Sequence, residues 1–264
     1  MQEHCGFSFD FYQRNQNLEL DKGLKPPLAK STGTTIVGVV YEDGVILGAD
    51  TRATSGPIVA EKNCQKIHYL ASNIYCCGAG TAADADFITS LTRSTLDLHR
   101  LDSGKTNRVI TAVTLLKRRL FRYQGHIGAA LIVGGTDFTG SQLYTVHPHG
   151  STDQLLFVAM GSGSLAAISI LESQYSCNMN KKDAMELVTR AISAGIFNDL
   201  GSGSNVDMVV ISKTLGAEVF RNYKMPNPKP AKVGKYDNPG EPTAVINEQI
   251  KRFQTDVGEA MDLS

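Results

Sequence analysis

The sequence has no excess charge of either sign, because its 26 Lys and Arg residues are matched by 26 Asp and Glu residues. Proteins that bind nucleic acid or anionic lipid over a broad face need clustered, uncompensated basic side chains, so the balance argues against both partners. The chain also lacks an apolar run near the ~18–20 residues of a transmembrane helix. Residues 1–30 lack the apolar core of a secretory signal. We therefore expect a globular protein without nucleic-acid or membrane partners, in which weak charge repulsion makes oligomer formation easier.

Metal-binding and disulfide patterns are missing as well. The chain has five cysteines, an odd number, and no C-x-x-C motif. This indicates reduced thiols in a cytoplasmic or nuclear protein. No H-E-x-x-H motif occurs, and His147-Pro148-His149 fits a surface turn better than a metal site. We expect neither a metal nor a cofactor.

Common catalytic signatures are absent too. Serines lie among glycines at 161–164 and 201–204, but neither run is a G-x-S-x-G nucleophile elbow, and there is no Walker A loop. A weak match to a dinucleotide fingerprint lies at 78–83, where Gly78-Ala79-Gly80 follows a predicted strand. Backbone N–H groups at such a turn stabilise either a bound phosphate or the oxyanion of a transition state. From the residues alone, both interpretations stay open.

Three zones differ in composition along the chain. Residues 1–33 are polar and show no lasting periodicity, whereas residues 34–222 carry nearly all of the periodic apolar pattern. Residues 223–264 hold five of the nine prolines, which is typical of an extended arm. The chain therefore divides into a leader, a folded domain and an arm.

The folded zone alternates between strand and helix patterns. Helical periodicity predicts helices at 81–101, 109–120, 164–174 and 182–198, and an apolar stripe on the first of them comprises Phe87, Leu91, Leu98 and Leu101. Alternating or β-branched runs predict strands at 35–40, 45–49, 66–70, 73–77, 129–135, 142–146, 154–159, 206–212 and 218–223. Most strands are adjacent in hairpins, which favours antiparallel sheets. We predict an α+β fold: a four-layer αββα sandwich whose helix pairs bury every apolar stripe.

The junction of leader and first strand carries a chemical signal. Cleavage between Gly33 and Thr34 would expose a threonine with a free α-amino group. That single residue would then hold both a hydroxyl nucleophile and a base that accepts its proton. Taken alone, the dipeptide is more often just the start of a strand.

Several motifs occur in order from Thr34 to about Tyr223, and together they resemble the catalytic β-type subunits of the proteasome. They are TTIVGV at 34–39, GVILGADTRAT at 44–54, Lys66-Ile67, GAG at 78–80, MGSGS at 160–164 and NDLGSGS at 198–204. Within that family the chain is most similar to the trypsin-like subunit. The resemblance implies the N-terminal-nucleophile hydrolase fold, which agrees with the predicted sandwich.

The resemblance also implies catalytic roles. Thr34 would be the nucleophile, exposed when the chain cuts itself after Gly33 and releases the leader as a propeptide. Lys66 would favour loss of the Thr34 hydroxyl proton, Asp50 would orient Lys66, and the Gly80 N–H would form the oxyanion hole. Three further residues would surround the Thr34 amine and set its protonation: Ser162, Asp199 and Ser202.

Substrate selection is implied in the same way. Gly78 would leave a deep pocket for the side chain that precedes the cut, and Asp86 would pair there with Lys or Arg. The remaining substrate-binding positions would be Ala53, Thr54, Cys64 and Ala82. Without the resemblance, Asp86 is simply an acid that stabilises the start of a helix.

The resemblance further implies hetero-oligomeric rings of proteasome α and β subunits, with unfolded polypeptides as substrates. The arm at 223–264 would contact a neighbouring subunit. We expect a threonine endopeptidase of the cytoplasm and nucleus. A non-catalytic scaffold subunit and a nucleotide-dependent enzyme are the alternatives.

Overall fold

Two five-stranded antiparallel sheets form the centre of the structure, a computed structural model that describes residues 10–23, 32–230 and 248–250. The first sheet has the order β10-β1-β2-β11-β12, formed by Phe157–Met160, Ile36–Tyr41, Gly44–Asp50, Val206–Ser212 and Gly216–Lys224. The second has the order β5-β6-β7-β8-β9, formed by Ile67–Ala71, Ile74–Gly80, Ala129–Asp137, Gly140–Val146 and Thr152–Gln154. A separate small hairpin joins β3 (Ala53–Ser55) and β4 (Ile58–Glu61).

Three apolar clusters hold four layers together. One lies between the facing surfaces of the two sheets and includes Leu47, Ile132 and Val209. The other two lie between a sheet and its helices. The helices α2 (Ala82–Ser103) and α3 (Val109–Arg122) pack on the second sheet, and α4 (Ser164–Gln174) and α5 (Lys181–Asn198) pack on the first. The predicted αββα sandwich is confirmed.

Strand β2 is fully enclosed, because all seven of its residues are buried, as are all seven of the neighbouring β11. Helix α5 crosses it closely: a Cβ added to Gly48 would lie 2.5 Å from Val188 Cγ1. The register of β1 against β2 pairs Ile36 with Ala49, and the amide of Asp50 donates to the carbonyl of Thr35 at 3.1 Å. The end of β2 therefore lies beside the start of β1, which is where Thr34 enters the sheet.

Helix α2 faces the sheet with a different side from the one predicted. Phe87, Leu98 and Leu101 are 63%, 66% and 71% exposed, and Leu91 is only half-buried. The buried face instead comprises Ala85, Ile88, Thr89, Thr92 and Leu96. The small Ala and Thr side chains let the helix approach the sheet closely. The threonine hydroxyls donate to carbonyls of the preceding turn, as Thr92 Oγ1 does to the Ile88 carbonyl at 2.7 Å. The expectation that every apolar stripe is buried was wrong.

Other elements differ from the sequence prediction. The strand predicted at 154–159 is two strands: β9 ends at Gln154 in one sheet, and β10 begins at Phe157 in the other. The β3–β4 hairpin was not predicted, because its strands are only three and four residues long. The leader contains a helix, α1 (Asp10–Lys22), where we expected no lasting periodicity. No α1 side chain is buried, so no apolar stripe marks it in the sequence.

The chain forms two units, Met1–Pro228 and Lys229–Ser264. Strand β12 continues to Lys224, so the first sheet extends slightly into the segment assigned to the arm. Of the second unit the structure describes residues 229, 230 and 248–250, so most of the arm and its predicted contact lie outside the described residues.

The orientation of α2 gives a matched pair of variants. Leu96 is fully buried and Leu98 lies on the exposed side two residues later. We expect Leu96→Ala to lower the free energy of unfolding by about 2–5 kcal/mol and Leu98→Ala to change it by less than about 0.5 kcal/mol. Denaturant unfolding of the isolated precursor chain measures both values. Equal losses for the two variants would contradict the orientation of the helix.

Candidate active site

Thr34 lies at the entrance to β1, is 2% exposed, and is still joined to the leader. Its hydroxyl donates to the carbonyl of the preceding Gly33, with 2.7 Å between the two oxygens. The Lys66 Nζ atom lies 3.2 Å from Thr34 Oγ1 and 3.2 Å from the Gly33 carbonyl oxygen. A hydroxyl, an ammonium group and a peptide carbonyl therefore meet at one bond.

Asp50 fixes the position of Lys66. Its carboxylate is fully buried and its Oδ1 atom lies 2.7 Å from Lys66 Nζ. The same carboxylate accepts from the backbone N–H groups of Thr35, Arg52 and Gly203, at 2.9, 3.2 and 3.0 Å. Burying an ion pair costs desolvation and contributes little net stability unless its hydrogen bonds are complete. These backbone N–H groups complete the hydrogen bonds of the Asp50 carboxylate. Asp50 therefore holds the Lys66 ammonium group in a fixed direction.

A second polar network surrounds the backbone nitrogen of Thr34. That N–H donates to Ser162 Oγ at 3.0 Å, and Ser162 Oγ donates to Asp199 Oδ2 at 2.6 Å. Ser202 Oγ donates to the same oxygen at 2.6 Å. Since that hydroxyl has only one proton, Thr35 Oγ1, 2.7 Å from Ser202 Oγ, is the donor in their contact. The predicted residues Ser162, Asp199 and Ser202 thus lie together.

The Asp199 carboxylate is held in its charged form by this network. Burial acts to raise its pKa, but the hydrogen bonds from Ser162, Ser202 and the Gly201 N–H outweigh burial and hold the pKa below its ordinary value. Asp199 therefore keeps a negative charge, one hydroxyl away from the Thr34 nitrogen, at neutral pH.

A cavity of about 230 Å³ opens beside Thr34 and Lys66. Its lining includes five of the six predicted substrate-binding residues, Ala53, Cys64, Gly78, Ala82 and Asp86, together with Gly80; the sixth, Thr54, is not part of the lining. A Cβ added to Gly78 would lie 3.0 Å from the Ala85 Cβ and 3.5 Å from His68 Nε2, so glycine keeps this part of the cavity open. Cys64 lines the cavity, and burial raises the pKa of its thiol, which makes the thiol a weaker nucleophile.

The sequence prediction did not include His68 in the pocket. It lines the cavity with Asp86, and burial lowers its pKa while the Asp86 charge partly opposes that shift. The signal for it was its position two residues after Lys66, because alternate residues of an extended chain share a face. Gln65, Ala79, Ala85 and the leader residue Thr32 were also missed.

The last two leader residues, Thr32 and Gly33, occupy the site. The N–H and hydroxyl of Thr32 both donate to the Gly80 carbonyl, at 3.5 and 3.1 Å, and the two residues form an antiparallel bridge. The Gly33 N–H donates to the side-chain hydroxyl of Thr54 at 3.1 Å. Gly33 also lies against the backbone of Gly201, where an added Cβ would be 2.2 Å from the Gly201 Cα. Thr32 and Gly33, the last two residues of the leader, are therefore bound like a short strand up to the bond before Thr34.

The glycines at 78–80 are part of β6 and do not form a separate loop. Gly78 pairs with Leu131 of β7, and helix α2 begins only at Ala82. Gly80 has a φ of 106°, and a Cβ there would lie 2.2 Å from the Gly128 carbonyl oxygen, so only glycine fits. The sheet pairing and the adjacent Thr34 favour the oxyanion interpretation over a phosphate cradle.

Within residues 10–23, 32–230 and 248–250, His, Cys, Asp and Glu side chains form no group of three or more that is arranged to hold a metal ion. Nor does any helix there have the length and apolar character needed to cross a membrane.

Comparison with known proteins identifies relatives over nearly the whole chain. The family model described as "Proteasome subunit" matches residues 30–211. The chain is 57% identical to proteasome subunit beta type-7 of Dictyostelium discoideum over 252 residues, which cover 96% of this chain and 94% of that protein. It is 55% identical to proteasome subunit beta type-7-A of Arabidopsis thaliana, with 97% and 95% covered. It is 49% identical to proteasome subunit beta type-2 of Saccharomyces cerevisiae, with 98% and 99% covered.

The shared cavity of His68 and Asp86 gives a titration experiment. Because the Asp86 carboxylate raises the pKa of His68 against the effect of burial, Asp86→Asn should lower that pKa further. Proton NMR of the His68 ring in the precursor chain, assigned with His68→Gln, measures the shift. Asp102→Asn removes an exposed carboxylate from the far end of the same helix and is the control. An unchanged or higher His68 pKa in Asp86→Asn would contradict the arrangement of the pocket.

Proposed function

Since the chain belongs to the proteasome subunit family, as a β-type subunit that assembles with other proteasome subunits, we propose that it is a catalytic member. We propose a threonine endopeptidase that cuts unfolded polypeptides after basic residues, in the ATP- and ubiquitin-dependent protein degradation of the cytoplasm and nucleus. The observation that carries the proposal is the contact of the Thr34 hydroxyl with both Lys66 Nζ and the Gly33 carbonyl.

Self-cleavage would come first. Thr34 Oγ1 adds to the Gly33 carbonyl carbon, and the Lys66 ammonium stabilises the negative charge that develops on the carbonyl oxygen. The Gly33–Thr34 C–N bond then breaks, and the proton that Oγ1 gave up passes through water to the nitrogen, which becomes the Thr34 amine. Gly33 remains as an ester on Oγ1. Water hydrolyses the ester, which releases the leader 1–33 with a free carboxylate and restores the hydroxyl.

The mature site would repeat this chemistry on a separate peptide. The Thr34 hydroxyl attacks the substrate carbonyl while its own amine accepts the proton, directly or through water, since α-amino groups have a pKa of about 7.7–8.0. The Gly80 N–H stabilises the oxyanion, and the substrate C–N bond then breaks as the leaving amine takes up that proton. Water hydrolyses the remaining acyl ester and restores the Thr34 hydroxyl. In the precursor, Ser162 Oγ already accepts from the Thr34 N–H and donates to the charged Asp199 carboxylate, which supports a role for both residues in setting the protonation of the amine.

The preference for basic residues rests on the cavity. Gly78 leaves room for a long side chain, and Asp86 offers a carboxylate at the lining. A charge-assisted bond between a carboxylate and Lys or Arg is about twice as strong as a neutral one. This favours a basic side chain before the cut.

The alternative is a scaffold subunit without activity. Such a subunit has no use for a buried Asp50–Lys66 pair directed at a threonine hydroxyl, nor for a leader bound across the site. In the domain organisation that we propose, residues 1–33 are the propeptide, 34–222 the catalytic domain and 223–264 the arm that contacts a neighbouring subunit.

The nucleophile assignment has a direct test. Thr34→Ala removes Oγ1, so we expect assembled particles that carry it to retain the leader and to lose hydrolysis after basic residues in this subunit. Thr34→Ser keeps a hydroxyl and should retain both activities at a reduced rate, because serine fixes the direction of its Oγ less firmly. Denaturing gels and fluorogenic peptides with basic residues measure the two activities. Leader release in the Thr34→Ala chain would contradict the assignment.

The pocket assignment predicts a change of selectivity. Asp86→Asn should lower kcat/KM for a peptide with Arg before the cut by about 10- to 100-fold, the value of one hydrogen bond to a charged group. The same variant should change kcat/KM for a peptide with Leu at that position by less than about threefold. Asp102→Asn, with the same charge change outside the cavity, should alter neither. Equal losses on the Arg and Leu peptides would contradict the role of Asp86.

A further inference from the structure

The scissile peptide is held from several sides in the precursor. The Gly33 carbonyl accepts from Thr34 Oγ1 and Lys66 Nζ, at 2.7 and 3.2 Å. On its downstream side, the Thr34 N–H donates to Ser162 Oγ at 3.0 Å. On its upstream side, the Gly33 N–H donates to Thr54 Oγ1 at 3.1 Å. The first three contacts belong to the catalytic groups already described, whereas the fourth involves a side chain whose hydroxyl has no role in that chemistry.

We propose that the Thr54 hydroxyl is a positioning residue for self-cleavage, which aligns the Gly33 peptide for attack by Thr34. The proposal rests on the proposed function, because it presumes that the Gly33–Thr34 bond is cut. It assigns the side chain of Thr54 to the leader, in addition to the substrate-binding role that the resemblance implies for this position.

The geometry explains why an upstream hydrogen bond matters. Thr34 Oγ1 and the Gly33 carbonyl carbon belong to adjacent residues, so the hydroxyl reaches that carbon only when the Gly33 peptide has a suitable tilt. Glycine is the residue with the widest choice of backbone conformations, so Gly33 does not hold this tilt by itself. The Thr54 bond and the close contact with Gly201 together remove that freedom. Such restriction of reacting groups is a large part of catalytic rate enhancement.

The position of Thr54 suits this role. It lies in β3 of the small hairpin, paired with Val59, and is neither fully buried nor fully exposed. Thr32 is bonded separately to Gly80, so loss of the Thr54 bond leaves the leader attached to the cleft. Substitution of Thr54 should therefore alter the rate of cleavage without releasing the leader or unfolding the core.

Two substitutions separate the hydroxyl from the shape of the side chain. Thr54→Val keeps the branching and removes the acceptor, whereas Thr54→Ser keeps the acceptor and removes a methyl group. We expect Thr54→Val to slow self-cleavage by about 2- to 10-fold, the range for one neutral hydrogen bond, and Thr54→Ser to stay within twofold of the unaltered chain. Intact-mass measurement over time during particle assembly gives the rates. A Thr54→Val rate equal to that of the unaltered chain, or equal slowing in both variants, would overturn the proposal.

A second readout does not depend on cleavage. In a Thr34→Ala background the leader stays attached, and hydrogen exchange at the Gly33 amide reports its bond to Thr54. Adding Thr54→Val should accelerate that exchange, and adding Thr54→Ser should not. Unchanged exchange in both double variants would also overturn the proposal. An unaltered chain that never cuts after Gly33 would instead contradict the proposed function, so the two failures are distinguishable.

Discussion

The position of one ammonium group determines the rest of the site. Lys66 Nζ lies 2.7 Å from a buried carboxylate of Asp50 and 3.2 Å from the hydroxyl of Thr34. Its 7% exposure leaves it little contact with water, so these protein groups fix its direction. The fold places both partners of Lys66 side by side. Asp50 ends β2 and Thr34 precedes β1, and the antiparallel register of these two strands brings the end of β2 next to the start of β1. The sandwich of sheets and helices serves to hold that register.

Close backbone contacts complete the site. Gly80 and Gly161 have positive φ values, and a Cβ at Gly161 would lie 2.1 Å from the Thr34 carbonyl oxygen. Gly33 and Gly201 touch each other in the same region. Larger residues would push apart the strands and turns that hold Thr34, Ser162 and Asp199. Glycine is thus frequent around the site because the backbone itself is packed against the reacting group.

Much of this organisation was predictable from the sequence. The alternation of strands and helices predicted the four layers, and the resemblance brought together Thr34, Asp50, Lys66 and Asp199, which the structure places in one connected set of hydrogen bonds. Periodicity failed for α2, because the face that packs on the sheet includes small and polar residues such as Ala85 and Thr92, whereas Phe87 and Leu98 are exposed. It failed also for His68 and for the contact of Thr54 with Gly33, since both depend on how distant strands meet and no local pattern encodes that. The short β3–β4 hairpin was missed for a related reason: so few residues carry no measurable alternation.

The central claim is that Thr34 becomes the first residue of the working chain. The most direct measurement is the intact mass of this subunit, taken from purified assembled particles, with chemical labelling of its amino terminus. The account predicts a chain of 231 residues with a free amine on Thr34, which is the full 264 residues without the leader 1–33. A chain that keeps residues 1–33 in the assembled particle would contradict it.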